Sequence, residues 1–160
     1  MAKMTRAVTA LQRAGVSFRL HPYTLADDGD GDSYGEAVAN TLGVAPDRLF
    51  KTLLAVVDGD PRVAVVPVSS RLSLKALARA AGGKRAEMLA PADAERVTGY
   101  VTGGISPFGQ KKRLPVHVDE SVQAHRTIFC SAGARGLQVE LAPADLIRVL
   151  DARTAALTDS

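Results

Sequence analysis

The chain is short of the residues that most often carry chemistry. Cys130 is its only cysteine in 160 residues. No internal disulfide can form, and no cysteine pair is available for a structural zinc site. A reducing compartment fits that usage. Tryptophan is absent, and the longest strongly apolar run, Val63 to Val68, is far too short to span a bilayer. The N-terminal stretch MAKMTRAV has no apolar signal core. These absences predict a soluble cytoplasmic protein with no membrane partner. Net charge is +3, a mild excess that permits a polyanionic partner without demonstrating one.

Familiar catalytic motifs are missing too. The glycine-rich stretch GYVTGGISPFGQKKRLPV, 99–116, fails as a Walker A loop, because Gln110 separates Gly109 from Lys111 and no hydroxyl residue follows Lys112. It fails the Rossmann spacing as well, since Gly103 and Gly104 are adjacent. No GxSxG elbow and no HExxH pair occurs. His21 and His117 alternate with apolar neighbours and read as structural, while His125 lies in a polar segment. Cys130 follows Ile128 and Phe129 and reads as a buried core thiol. ADDGDGDS, 26–33, has a D-x-D-G pattern but no closing glutamate at EF-hand spacing, so a solvated loop is preferred to a calcium site.

What is present is ordinary globular patterning. Apolar residues make up 46% of the chain, enough for one compact domain with a full core. Met4, Ala7, Val8, Leu11 and Ala14 recur at helical spacing before Gly15. VSFRLHPY, 16–23, alternates like a strand. Ser33 and Glu36 have capping-box spacing for a helix that stops at Gly43. FKTLLAVVDGDPRVAVVPV, 50–68, is two apolar runs about Asp58-Gly59, a hairpin signal. Helices are expected over 73–83 and 91–99, and strands at 113–120, 126–132 and 137–142, with GARG, 133–136, as a turn. PADLIRVLDARTAAL, 143–157, is expected to close the chain as one amphipathic helix. The order lacks strict βαβ alternation, which predicts α+β or mixed α/β with a substantially antiparallel sheet.

Three features have no obvious structural duty. Lys51 and Thr52 open a very apolar strand, where the lysine either snorkels at an edge or enters a cleft as a fixed charge. Gly103-Gly104-Ile105-Ser106-Pro107 is a turn whose backbone N–H groups could face a ligand. Ser131-Ala132-Gly133-Ala134-Arg135-Gly136 is a second small-residue turn with a cation in it. With Tyr23 they could line a pocket that works through backbone donors, although periodicity cannot show that they meet.

Those same stretches resemble a known family. HPY at 21–23, FKTLL at 50–54, TGYVTGGISPFGQKKRLP at 98–115 and SAGARGLQVEL at 131–141 are similar to the YbaK/EbsC family. That family includes the bacterial Cys-tRNA(Pro) deacylases and relatives of the editing domain inserted in prolyl-tRNA synthetases. The resemblance implies one aminoacyl-tRNA editing domain over 1–160, with a largely antiparallel, barrel-like sheet flanked by helices. It implies hydrolysis, without cofactor or metal, of the ester joining a wrong amino acid to tRNA. The partners implied are the 3′ end of tRNA(Pro) and, at a distance, prolyl-tRNA synthetase.

Residue by residue, the resemblance puts the family's lysine on Lys51, beside Thr52, and its pocket tyrosine on Tyr23. Its GxxxP element falls on Gly103, Gly104, Ile105, Ser106 and Pro107, and its second glycine turn on Ser131, Gly133, Arg135 and Gly136. In cysteinyl members the substrate's own thiol is held to attack the ester carbonyl, which would explain the missing nucleophile. Lys51 would then hold the terminal phosphate or adenosine, and the N–H groups of Gly103 and Gly104 would face the oxyanion. One departure stands out: some members carry aspartate where this chain has Gln138. A deacylase for another small amino acid such as alanine on tRNA(Pro), and a non-catalytic tRNA or prolyl-tRNA synthetase binding module, are the competing readings. Lys111, Lys112 and Arg113 read as a basic strand start near tRNA phosphates or a solvated edge.

Overall fold

The computed structural model describes residues 4–25 and 32–159. The acidic segment at 26–31, including most of the rejected calcium pattern, lies outside the described residues. The first helix, α1 (Arg6–Ala14), is capped by Thr5, whose Oγ1 accepts from Val8 N at 3.1 Å, and it stops at left-handed Gly15. Its buried stripe is Ala7, Val8 and Leu11, as the spacing requires. Strand β1 (Phe18–Pro22) follows, then α2 (Asp32–Leu42). Ser33 lies inside α2, not at its cap.

The predicted hairpin is β2 (Phe50–Val57) and β3 (Asp60–Pro67), in register from Phe50–Pro67 to Val57–Asp60. Asp58 and Gly59 both have positive φ, 49° and 88°, the geometry that matches the right-handed twist of hairpin strands. The chain continues through β4 (Arg71–Leu72), α3 (Leu74–Ala80), β5 (Ala86–Met88) and α4 (Pro91–Thr98). After the glycine-rich loop come β6 (Val116–Asp119), β7 (Ile128–Ala134) and β8 (Leu137–Leu141). Helix α5 (Pro143–Leu150), β9 (Arg153–Ala155) and β10 (Thr158–Asp159) complete it.

Two principal sheets result. One is antiparallel, in the order β1-β8-β7. The other runs β5-β2-β3-β6-β9, with β6 and β9 parallel to their inner neighbours. Strands β10 and β4 form a separate short pair. An isolated bridge between Leu49, just before β2, and Phe129 of β7 links the two main sheets. The architecture is thus mixed α/β and barrel-like without a closed ladder. Phe50, Leu54, Val63 and Val65 meet Ile128, Cys130, Val139 and Leu141 in the main core. A second cluster packs α3 on Ala64 and Val66, and a third packs α2 on Leu49, Val68 and Phe129.

Two further expectations are corrected. The last helix does not reach Leu157. It ends at Leu150, where Asp151 adopts left-handed geometry (φ 50°), and the chain turns into β9. Leu157 is buried by a different device, its N–H donating to Asp119 Oδ1 at 2.9 Å. The second change concerns GARG. Strand β7 runs through Gly133 to Ala134 with a bulge between Ser131 and Ala134, so the turn is confined to Arg135 and Gly136.

Candidate active site

The glycine-rich loop is built as a closed unit after α4. Gly99 ends that helix in left-handed geometry, and Thr102 N donates to Glu95 Oε2 at 2.7 Å. The Tyr100 hydroxyl donates to the Phe108 carbonyl and ties the two ends of the loop together. Burial pushes the Tyr100 phenol up to about 12, so it stays a neutral donor. Ser106 is wholly buried; its Oγ accepts from Phe108 N at 3.2 Å, and its carbonyl accepts from Gln110 Nε2 at 3.0 Å. Ser106 and buried Pro107 therefore shape the loop from beneath, while Ile105 is half-buried against the main core.

The tip of this loop rests on the β7–β8 turn. Gly103 has φ 89°, and a Cβ there would lie 2.4 Å from Arg135 Nε. A Cβ on Gly104 would lie 2.9 Å from Arg135 N and 3.0 Å from Ala134 C, which are backbone atoms that cannot swing aside. Arg135 Nε donates to the Thr102 carbonyl at 3.1 Å and locks the contact. Gly104 N–H donates to the Val101 carbonyl at 2.9 Å, closing a tight turn, so it is not free to face a ligand. Gly103 N–H makes no such bond among the described residues.

Two tyrosines complete the wall. Tyr23, just after β1, donates its N–H to the Gly136 carbonyl at 2.9 Å. Its hydroxyl lies 3.2 Å from that of Tyr34 on α2, and Tyr34 in turn donates to the Gly103 carbonyl at 3.3 Å. The Arg135 guanidinium sits 5.3 Å from the Tyr34 ring centroid, within cation–π range. Tyr23, Gly103, Gly104, Arg135 and Gly136 thus come together. Tyr34 joins them, although the sequence reading missed it. The one available signal was a phenol beside a glycine at the start of a helix.

Other expected members stand apart from that contact. Ser131 Oγ accepts from Gly133 N at 3.1 Å within the bulge. A Cβ on Gly133 would meet Tyr100 Cε1 at 2.9 Å and Thr5 Cβ at 3.1 Å, so this glycine fits the chain under α1 and not under the tyrosines. Lys51 and Thr52 are consecutive in β2 and point to opposite faces. Thr52 lies between Phe50 and Leu54 on the main-core side, where its buried Oγ1 has no hydrogen-bond partner. Half-buried Lys51 is on the other face, two residues from Leu49, which shares a cluster with Tyr23 and Tyr34. Two strand residues are roughly 7 Å, within reach of a lysine side chain.

On the face of the antiparallel sheet that carries Phe129, Gln138 is buried between its strand partners His21 and Ser131, and its Oε1 has no hydrogen-bond partner. Next along β8, Glu140 Oε1 meets His21 Nε2 at 2.9 Å, and its Oε2 takes Thr127 Oγ1 at 2.6 Å and Arg48 Nη2 at 3.0 Å. Burial would raise the Glu140 carboxyl. The hydrogen bonds from Thr127 and His21, with the His21 and Arg48 charges, hold it below the usual value. Cys130 is fully buried, and burial alone pushes its thiol up to about 12. No group of three potential metal ligands occurs among the described residues, and no helix among them is long and apolar enough to cross a membrane.

Among the described residues, this wall consists of the Thr102, Gly103 and Gly136 carbonyls, two phenols and the Arg135 guanidinium, with no thiol or imidazole in it. Residues 30–149 match the family model described as the aminoacyl-tRNA editing domain, and the chain belongs to that family. It is 38% identical over 155 residues to the Enterococcus faecalis protein EbsC, named as a candidate Cys-tRNA(Pro)/Cys-tRNA(Cys) deacylase, covering 96% of this chain and 93% of that one. It is 28% identical to the Escherichia coli K12 protein named the multifunctional Ser/Thr-tRNA deacylase ProXp-y, over 90% of this chain and 86% of the other. Among solved structures, a candidate trans-editing enzyme for prolyl-tRNA synthetase superposes with a TM-score of 0.83 at 21% identity, covering 99% of this chain and all of that one. This last likeness concerns the fold.

Proposed function

We propose that the chain is a trans-editing deacylase, acting as a single editing unit, that cleaves the ester of Cys-tRNA(Pro). The observation that carries the reading is the contact of the Gly103 loop with Tyr23, Tyr34 and Arg135. That contact forms a preset hydrogen-bonding wall, Lys51 is within side-chain reach of the cluster that holds its tyrosines, and the chain's one thiol is sealed in the core.

The reaction then draws its nucleophile from the substrate. The cysteinyl thiolate attacks its own ester carbonyl; a C–S bond forms and the C–O bond to the tRNA 3′ oxygen breaks. That oxygen leaves with a proton, giving a thiolactone and free tRNA. The protein's task is to bend the substrate into this geometry and to stabilise the oxyanion. Gly103 N–H suits the oxyanion role. Gly104 serves by lacking a Cβ, since its N–H is already given to Val101. Lys51 suits a contact to the terminal phosphate or adenosine, and synthetase proximity would supply the released tRNA.

A second substrate reading, removal of serine or threonine, gains support from the name of the Escherichia coli relative. The buried, unpartnered Gln138 Oε1 could accept from a hydroxyl. Deacylation of Cys-, Ala-, Ser- and Thr-tRNA(Pro) by the purified chain separates the two. Preference for cysteine with thiolactone release is expected. Alanine release as fast as cysteine release would defeat the thiol mechanism.

A further inference from the structure

Away from the tyrosine wall, a cavity of about 500 Å³ opens where β3, β6 and β9 meet the ends of α3 and α5. Arg62, Arg113, His117, Asp151 and Arg153 line it, over an apolar floor that includes Leu150. None of its three arginines makes an ion pair among the described residues. Asp151 is the one acid on the walls, so the cavity carries an excess of two positive charges with His117 neutral. Such a concentration over an apolar floor raises the local field for an anion.

The polar atoms inside point the same way. Arg62 Nη1 donates to His117 Nε2 at 3.1 Å, which leaves the imidazole proton on Nδ1. His117 is 2% exposed, and burial together with the Arg62 and Arg153 charges keeps its pKa low. His117 Nδ1 and Arg62 Nε are both buried without a hydrogen-bond partner. Both are donors, so these two buried atoms lack an acceptor.

We propose that the cavity is a binding site for a dianionic phosphate monoester group. Guanidinium forks match phosphate oxygens, and the charge of a monoester balances the excess. An oxygen that draws Arg62 outward gives Arg62 Nε an acceptor and changes the partner of His117 Nε2. The site lies on the same sheet face as Lys51, two strands across and two residues along, about 12 Å away between Cα atoms. The apolar cluster of Ala64, Val66 and α3 lies between them. The phosphate's source is the 5′ end of an RNA or a free phosphate compound. Only the RNA source rests on the deacylase reading.

The test follows the His117 ring nitrogens by NMR in the isotope-labelled full chain. Inorganic phosphate is expected to move them saturably, and chloride at equal ionic strength is not. Arg113→Gln with Arg153→Gln, both at exposed positions, should weaken phosphate binding by about tenfold or more at an unchanged melting temperature. Unmoved His117 resonances, or an equal response in the double variant, would overturn the proposal. An acceptor-stem hairpin carrying a 5′ phosphate, set against its 5′-hydroxyl twin, identifies the source. A response to the phosphorylated hairpin alone supports RNA; a response to inorganic phosphate and neither hairpin supports a small free compound.

Discussion

The hydroxyls of Tyr23 and Tyr34 lie 3.2 Å apart, and their hydrogen bond has a direction. Tyr34 has a single hydroxyl proton and gives it to the Gly103 carbonyl at 3.3 Å. The proton between the rings must therefore come from Tyr23. A relay runs from β1 through α2 to the loop tip, and it fixes how the Gly103 peptide is turned.

Tyr34→Phe breaks that relay while keeping the ring under Arg135. Of the two hydrogen bonds lost, the one to the Gly103 carbonyl bears on the loop tip; its net worth of roughly 0.5–1.5 kcal/mol predicts a fall in kcat/KM of roughly 2- to 12-fold. Steady-state deacylation measures it. An unchanged rate would mean that the peptide orientation does not depend on the tyrosines.

Gly104→Ala should do more harm. Its new Cβ would meet the Ala134–Arg135 backbone at 2.9–3.1 Å, and neither chain segment can yield without moving the site. Overpacking of this kind costs about 1–3 kcal/mol. A lower melting temperature together with lost deacylation is expected, and wild-type values of both would contradict the packing described.

Cys130 should be inert. With its thiol pushed up to about 12 and fully buried, very little thiolate exists or is reachable at neutral pH. Alkylation of the native chain should be slow, accelerating on unfolding, and Cys130→Ala should retain deacylation. Rapid inactivation by a thiol reagent that modifies Cys130 would show the opposite.

Glu140 makes stability depend on acid. Its folded pKa is held below the ordinary 4.5 by Thr127, His21 and Arg48. That stabilisation is complete above about 4.5 and is lost as pH falls through the lower folded value. Glu140→Gln should flatten the acid limb of the melting profile. A profile identical to wild type would remove Glu140 from the account.

Much of this was legible beforehand where local chemistry decides. The Asp58-Gly59 hairpin is specified by turn chemistry and alternation, whereas Thr98 to Pro115, Tyr23 and Arg135 are singled out by the family resemblance. Tyr34 was not legible, because its role depends on α2 crossing over the Gly103 loop, a contact between segments 69 residues apart. Strand β9 escaped because LDARTAAL has apolar residues compatible with a helix; its pairing with β6 comes from tertiary structure. The split duties of Gly103 and Gly104 needed coordinates, since both are glycine in one turn.

The most direct measurement is deacylation of Cys-tRNA(Pro) by Lys51→Ala, with the melting curve recorded alongside. Lys51 is half-buried on the face shared with the tyrosine cluster, where it can hold the substrate without supporting the core. Near-complete loss of deacylation in a chain that melts like wild type is the predicted result. Near wild-type turnover would contradict the central claim that this wall and its lysine form the editing site.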